Sequence, residues 1–328
     1  MRSNSLKAIS LFCGCGGADL GLTGGFNYLG KNYKANNIEI IHASDINIKA
    51  VNTYNINFKN KAICEDVLNL NFTSEKADLL VGGFPCQNFS TVNPNKNPED
   101  KNNQLFWELA KVTEQVKPRI VIGENVKGFY YLKNGKYFNM IKNRLEELGY
   151  KVYADILNAA NYGIPQLRQR IIIVGVRNDI KNEFSFPKPV CGKTSKSKVK
   201  YTVLKDVIKS LIPEDPKYYF SQRAVEGAKN AKPNMKRALA QDLEKPCLTI
   251  TSHLAKVSIN SRDPVLLVDK DKETYRRFTP EEAGRIQSFP DTFKFSGSES
   301  DAYRQIGNAV PPVMFWYLVQ EIIKVLKD

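Results

Sequence analysis

The chain has only two histidines, His42 and His253, and two tryptophans in 328 residues. Its six cysteines, at 13, 15, 64, 86, 191 and 247, are scattered along the chain. That usage excludes a disulfide framework, which needs cysteines concentrated at regular spacing. It also argues against a structural zinc, because Cys13 and Cys15 make at most half a site and no second cysteine pair has ligand spacing. No metal is therefore expected. No apolar run reaches the length of about eighteen residues that a membrane span requires, so none is expected. The opening MRSNSLKAISLF turns directly into a strand pattern without the profile of a cleaved signal, which points to the cytoplasm. Internal repeats are absent. Acids are short relative to bases, 34 against 48, giving a net charge of +14.

What is present is an ordinary globular balance, 42% apolar and 25% charged. The length suits one large α/β domain with a smaller second lobe. Residues 181–240 hold 14 Lys+Arg against 5 Asp+Glu, a local net of +9. A solvated lysine surface would explain that, and so would a face that binds phosphates by releasing counterions. Charge alone leaves both open.

The first 180 residues alternate short apolar runs with amphipathic stretches, the pattern of a βαβ-built parallel sheet. Strands are expected at Lys7–Phe12, Glu39–Ser44, Ala77–Val81, Arg119–Gly123, Val152–Asn158 and Arg170–Val176. Helices are expected at Ala18–Leu29, Ile48–Asn57, Gln104–Lys117 and Tyr137–Leu148, the last stopped by Gly149. From Phe186 the texture becomes polar and basic (PKPVCGKTSKSKVK), marking a boundary or linker. Only weak, short elements follow as far as Val268. Thr279 and Glu282 form a capping box for a helix at Pro280–Gln287, and Pro312–Leu326 closes the chain as a helix.

The first strand runs into Phe12-Cys-Gly14-Cys-Gly16-Gly17, a tight turn that lets backbone approach a ligand at a helix N-terminus. Asp45 ends the second strand, where a carboxylate can take ribose hydroxyls, and Asp66 follows a short apolar run and can accept from an exocyclic amine. Each acid alone reads equally as a cap or a solvated side chain. Together with the turn they describe an adenosine site, without the GxGxxG that a pyrophosphate would call for.

Strand Ala77–Val81 leads into Gly82-Gly83-Phe84-Pro85-Cys86-Gln87, placing a cysteine where open α/β sheets keep their chemistry. The following strand ends in Glu124-Asn125-Val126; if the two strands are neighbours, Cys86 and Glu124 share a crevice. A carboxyl group beside a nucleophilic thiolate suits addition to a pyrimidine ring whose nitrogen must be held by a proton donor. Arg168 and Arg170, two apart in Gln166-Leu-Arg-Gln-Arg, are expected to point to one side and to bind phosphate or brace the carboxylate.

In this order the motifs resemble the bacterial DNA (cytosine-5)-methyltransferase family over nearly the whole chain, joined by Arg277-Phe-Thr279 through Pro290 and by Gln305-Ile-Gly307-Asn308-Ala309-Val310-Pro311. Departures are modest: Asp45 stands where the family usually has Glu, Cys13 where Ser or Ala is commoner, and Asn102-Asn103 replace an Arg-Gly pair. The resemblance implies a Rossmann-like S-adenosylmethionine-dependent sheet with helices on both faces and a smaller, irregular, mostly β target-recognition domain. Residues 1–186, completed by 303–328, would be the catalytic and cofactor domain, 187–275 the recognition domain, and 276–302 the hinge. Cys86, Glu124, Arg168 and Arg170 would be catalytic. Phe12, Gly14, Gly16, Gly17, Asp45, Ile46, Asp66, Pro85, Leu105, Asn308 and Ala309 would bind S-adenosylmethionine, leaving S-adenosylhomocysteine. Gln87, Ser90, Thr249 and Thr251 would meet duplex DNA. A cognate restriction endonuclease and a monomeric state are further expectations. A tRNA cytosine-5-methyltransferase is the runner-up, though the Cys-Phe-Thr signature of that branch is absent and Cys247-Leu-Thr249 is its nearest match. A DNA-binding module without catalysis is a third reading, disfavoured by the presence of both Cys86 and Glu124.

Overall fold

The computed structural model describes residues 5–73, 75–84, 105–208, 215–230, 240–256 and 265–327. The chain first forms β1 (Leu6–Leu11), α1 (Gly17–Thr23), β2 (Phe26–Tyr28), β3 (Lys31–Tyr33), β4 (Ile38–Asp45), α2 (Ile48–Asn57), β5 (Ile63–Cys64) and β6 (Leu79–Gly82). It continues with α3 (Leu105–Val116), β7 (Ile120–Val126), α4 (Lys127–Tyr131), α5 (Lys136–Glu147), β8 (Tyr150–Asn158), β9 (Gln166–Leu167) and β10 (Gln169–Arg177). The remainder holds α6 (Gln222–Lys229), β11 (Cys247–Leu248), β12 (Leu266–Asp269), β13 (Thr274–Arg276), α7 (Pro280–Ile286), α8 (Glu299–Asn308) and α9 (Pro312–Leu326).

Seven strands make one sheet in the order β5-β4-β1-β6-β7-β10-β8. It is parallel from β5 to β7, as the alternation of strands and helices implies. Beyond β7 the sheet departs from the all-parallel expectation, because β10 runs antiparallel to both β7 and β8. The link from β8 to β10 is a short 3₁₀ turn at Ala159–Tyr162 and β9, with no crossover helix to bring the chain back parallel.

Each inner strand divides its side chains between two cores. Ala8, Leu79, Val81, Ile120, Ile122, Ile172 and Val174 face a core completed by α1 and α9. Ile9, Leu80, Val121, Ile171 and Ile173 face one completed by α3 and α5. This is the period-2 alternation of a sheet covered on both sides. The apolar α9 lies against α1, where a Cβ at Gly21 would stand 2.4 Å from the carbonyl oxygen of Pro312. The helix expected over Ala18–Leu29 stops at Thr23, since Gly24 and Gly25 follow with φ of 63° and 79°, and a β2–β3 hairpin replaces its second half.

The smaller lobe is irregular. Strands β11 and β12 are two and four residues long, α6 is the one α-helix among those residues of 187–275 that are described, beside short 3₁₀ turns, and the core gathers Leu204, Val207, Cys247, Ile250, Leu254 and Leu266 against α7 and α8. The expected capping box closes α7, with Thr279 and Glu282 exchanging hydrogen bonds. Glu282 also pairs bidentately with Arg276, whose side chain is fully buried, at 2.7 Å for each bond. Glu282→Ala removes the cap and takes the carboxylate from a buried guanidinium, so it is expected to cost about 3–5 kcal/mol. Urea titration of the variant checks this, and a loss below about 1 kcal/mol would contradict it.

Candidate active site

The carboxyl ends of β1, β4, β6 and β7 share one edge of the sheet. The chain leaves β1 for β4 and β5 on one side, then returns to β6 on the other, so a crevice opens beside the end of β1. Phe12 opens the turn there with φ of 54°, a left-handed conformation that costs a bulky side chain about 1–3 kcal/mol and is a mark of functional turns. The backbone N–H of Gly14 donates to Asp45 Oδ2 at 2.9 Å, and that of Asn47 donates to Oδ1 at 2.8 Å. Asp45 thus ties the turn to β4, a role its position in sequence did not announce. Burial pushes its pKa up and the two N–H donors pull it back.

Gly16 caps α1 with φ of 92°, and a Cβ on it would overlap the Phe58 ring. A Cβ on Gly17 would stand 2.4 Å from Val310 O and 3.1 Å from Ala309 Cβ, so the Asn308–Val310 segment closes over the turn. Asn308 is exposed and Ala309 buried. Ile46 is 69% exposed beside Asp45. Asp66 caps the 3₁₀ turn Val67–Asn69 through Oδ1, which accepts from Leu68 N at 3.1 Å. Leu105, half-buried, begins α3 and packs on the α3–α5 side of the sheet. A strained aromatic, an uncovered isoleucine, two carboxylates and a glycine cradle fit a nucleoside cofactor with a small polar tail.

Glu124 and Arg170 meet one strand over. Strand β10 sets Arg170 opposite Val126 and Ile172 opposite Glu124, so the two charged residues are diagonal neighbours on one face. Arg170 Nε lies 3.0 Å from Glu124 Oε1, with the side chains 12% and 15% exposed. Because β6 and β7 are adjacent, Gly83 falls beside this pair: a Cβ there would be 3.4 Å from Glu124 Oε2. Asn125 Nδ2 donates to the carbonyl of Phe84 at 3.1 Å. Glu124 and Asn125 thereby bracket the end of the strand that leads toward residue 86. Pro85, Cys86, Gln87 and Ser90 lie outside the described residues. Four of the other cysteines make poor nucleophiles, because burial raises the thiol pKa of Cys13, Cys15, Cys191 and Cys247, that of Cys15 to about 12.

Arg168 departs from the expected substrate-binding role. Its side chain is 1% exposed, and its guanidinium donates to the carbonyls of Ile250 (3.1 Å), Gly307 (3.0 Å) and Ala309 (3.0 Å). Desolvation, then repulsion from Arg170, lowers its pKa, and Glu124 partly restores it. A guanidinium so enclosed cannot reach a phosphate or a base oxygen; it positions backbone. Gln166, also buried, accepts from Ile250 N and donates to Ile286 O and Gln287 Oε1. Thr249 donates its hydroxyl to Leu167 O, and the Thr251 hydroxyl accepts from His253 N, so both are engaged locally at the lobe's junction.

One buried acid went unrecognised in the sequence. Asp19, in the first turn of α1, is fully buried, and Oδ1 accepts from the Ser10 hydroxyl at 2.7 Å. The Tyr54 hydroxyl lies close enough to favour the carboxylate, yet neither it nor Oδ2 closes a hydrogen bond. Burial carries the Asp19 pKa from the ordinary 3.8 up to about 6. Its signal in the sequence was weak, since Asp in a first helical turn reads as a dipole partner.

Residues 6–324 match the family model of the C-5 cytosine-specific DNA methylases. A type II methyltransferase of Lysinibacillus sphaericus, M.BspRI, is 34% identical over all of this chain and 84% of its own length. The Fusobacterium nucleatum type II methyltransferase M.FnuDI is 30% identical over 98% of this chain and 96% of its own. Among solved structures, the Schizosaccharomyces pombe Dnmt2 methyltransferase shares the fold with a TM-score of 0.76, at 22% identity, over 98% of this chain and all of that one.

The raised Asp19 pKa carries a sign. The folded chain binds this proton more tightly than the unfolded chain, so the stabilisation is full below about pH 3.8 and is lost as pH rises through about 6. The shift corresponds to about 3 kcal/mol. Asp19→Asn is expected to remove that fall, gaining stability relative to wild type at neutral pH. Denaturant titrations at stepped pH check it, and parallel pH profiles for the two proteins would contradict it.

Proposed function

The chain belongs to the C-5 cytosine-specific DNA methylase family, and we propose that it methylates carbon 5 of a cytosine in duplex DNA as the modification enzyme of a type II restriction–modification system. The observation that carries the reading is the Glu124–Arg170 pair set against Gly83, the strand end that leads to Cys86. We assign residues 1–186 and 303–328 to catalysis and cofactor, 187–275 to target recognition and 276–302 to the hinge. The enzyme acts in the cytoplasm as a monomer, alongside a cognate endonuclease.

Chemistry on a stacked base requires extruding it, at a cost of a few kcal/mol that phosphate contacts offset. The Cys86 thiolate forms a bond to ring carbon 6 while the 5,6 π-pair shifts toward carbon 5. Glu124, turned by Arg170 so that Oε2 faces Gly83, holds ring nitrogen 3 and the exocyclic amine as charge builds there. S-adenosylmethionine, when bound, would supply a sulfonium-activated methyl group that carbon 5 takes with the shifted electron pair as the methyl–sulfur bond breaks, leaving S-adenosylhomocysteine. Phe12 and Ile46 would flank its adenine, Asp66 accept from the adenine amine, Asp45 take the ribose, and Gly14, Gly16, Gly17, Asn308 and Ala309 border the methionine end. Loss of the carbon-5 proton returns the electron pair to the ring and expels Cys86.

Glu124→Gln is expected to lower methyl transfer by about 10²–10⁴-fold, and Cys86→Ser to abolish it with DNA binding retained. Transfer of labelled methyl to duplex DNA and to tRNA in parallel, followed by bisulfite sequencing, checks both. Label confined to tRNA, or wild-type turnover by Cys86→Ser, would overturn the reading.

A further inference from the structure

Between Glu183 and Asp206 the chain carries six lysines and no acid. Lys205 pairs with Glu244. Lys188, Lys193, Lys196, Lys198 and Lys200 are all exposed, and among the described residues none has a carboxylate within ion-pair distance. A run of lysines is commonly a solvated face, and a loose one would prove nothing.

This one is built. The N–H groups of Val190 and Cys191 both donate to Asn161 O, and the Tyr201 hydroxyl donates to Asn161 Oδ1. The Cys191 thiol donates to Ala160 O at 3.0 Å, Gly192 N to Val199 O at 2.8 Å, and the Ser197 hydroxyl to Val190 O at 2.7 Å. The Tyr201 ring lies against Gly192, where any Cβ would overlap it. Lys198 itself stands with φ of 54°, where glycine or asparagine would be less strained. The loop therefore keeps a charge at a position where the backbone would favour a smaller residue.

Its anchor also has an address. Asn158 ends β8 opposite Gln169, Leu157 lies opposite Arg170, and Ala159 N donates to Arg168 O. The 3₁₀ turn holding Asn161 thus follows the end of β8 at the edge where β7 also ends, with β8 two strand spacings, about 10 Å, across the sheet from β7.

We propose that residues 188–200 are a preformed clamp for the phosphates of duplex DNA flanking the methylated site, adding affinity without reading sequence. The proposal rests on the methyltransferase reading and names a partner surface for it. Neutral side chains cannot release counterions, so the quadruple variant Lys193→Gln, Lys196→Gln, Lys198→Gln, Lys200→Gln should flatten the salt dependence of binding. For the full chain and a mixed-sequence duplex, the slope of log K against log salt should fall by about 0.9 for each phosphate no longer neutralised, about 2–4 in all.

Two controls separate charge from folding. Lys198→Gly removes one charge while relieving the left-handed backbone, so it should lower the slope by about 0.9 with an unchanged or higher melting temperature. Lys7→Gln with Lys117→Gln, at the opposite edge of the sheet, should leave the slope at its wild-type value. A wild-type slope in the quadruple variant overturns the clamp, and so does an equal fall from the distant pair. If wild type binds duplex with the predicted loop dependence yet transfers no methyl to it, the enzymatic reading fails and the clamp stands.

Discussion

A single buried side chain holds the molecule's parts in register. Arg168 gives Nη1 and Nη2 to the carbonyls of Ile250, in the smaller lobe, and of Gly307 and Ala309, at the end of α8 beside the glycine turn, while its buried Nε has no hydrogen-bond partner among the described residues. Enclosing a guanidinium costs several kcal/mol of lost hydration, which charge-assisted bonds to three carbonyls offset only if all are in place. Gln166 and Gln287 extend the knot, with Gln287 Nε2 donating to the same Ala309 carbonyl. Gly307 belongs to it sterically, since a Cβ there would stand 2.2 Å from the backbone of Thr251. The glycine turn and the Ile250–Thr251 segment of the smaller lobe are thereby located by one network.

The antiparallel direction of β10 is the second constraint. Were β10 parallel to β7, its first residues would lie at the amino edge of the sheet, far from the crevice. Running the other way, it delivers Arg170 from its own N-terminus to the carboxyl end of β7, where Glu124 waits. The reversal therefore brings a strand start to the carboxyl edge of the sheet, beside Glu124. Because β8 is antiparallel to β10 in turn, it ends at the same edge, and the lysine loop is anchored just past that end, at Asn161.

Much of this was legible because the signals were local. Alternating apolar runs gave the inner strands, and the helices Ile48–Asn57 and Pro312–Leu326 lie where periodicity placed them. The glycine turn, Asp45, Asp66 and Glu124 were visible as residue types at strand ends. What was hidden is relational. Nothing in Gln166-Leu-Arg-Gln-Arg says that the first arginine faces inward to carbonyls more than eighty residues away while the second faces a carboxylate. Strand direction beyond β7 depends on the short Ala159–Tyr162 link, too irregular to read by period. The β2–β3 hairpin was concealed because only Gly24-Gly25 interrupts an otherwise helical pattern.

In the proposed mechanism Cys86 attacks the ring that Glu124 holds. A duplex bearing 5-fluorocytosine at the target position tests it most directly, because fluorine on carbon 5 cannot leave as a proton does and the enzyme–base bond persists. With cofactor present, denaturing mass spectrometry should find the chain joined to the duplex, with the adduct mapped to Cys86. A cofactor-dependent adduct on another residue, or no adduct while ordinary duplex is methylated normally, would contradict the mechanism.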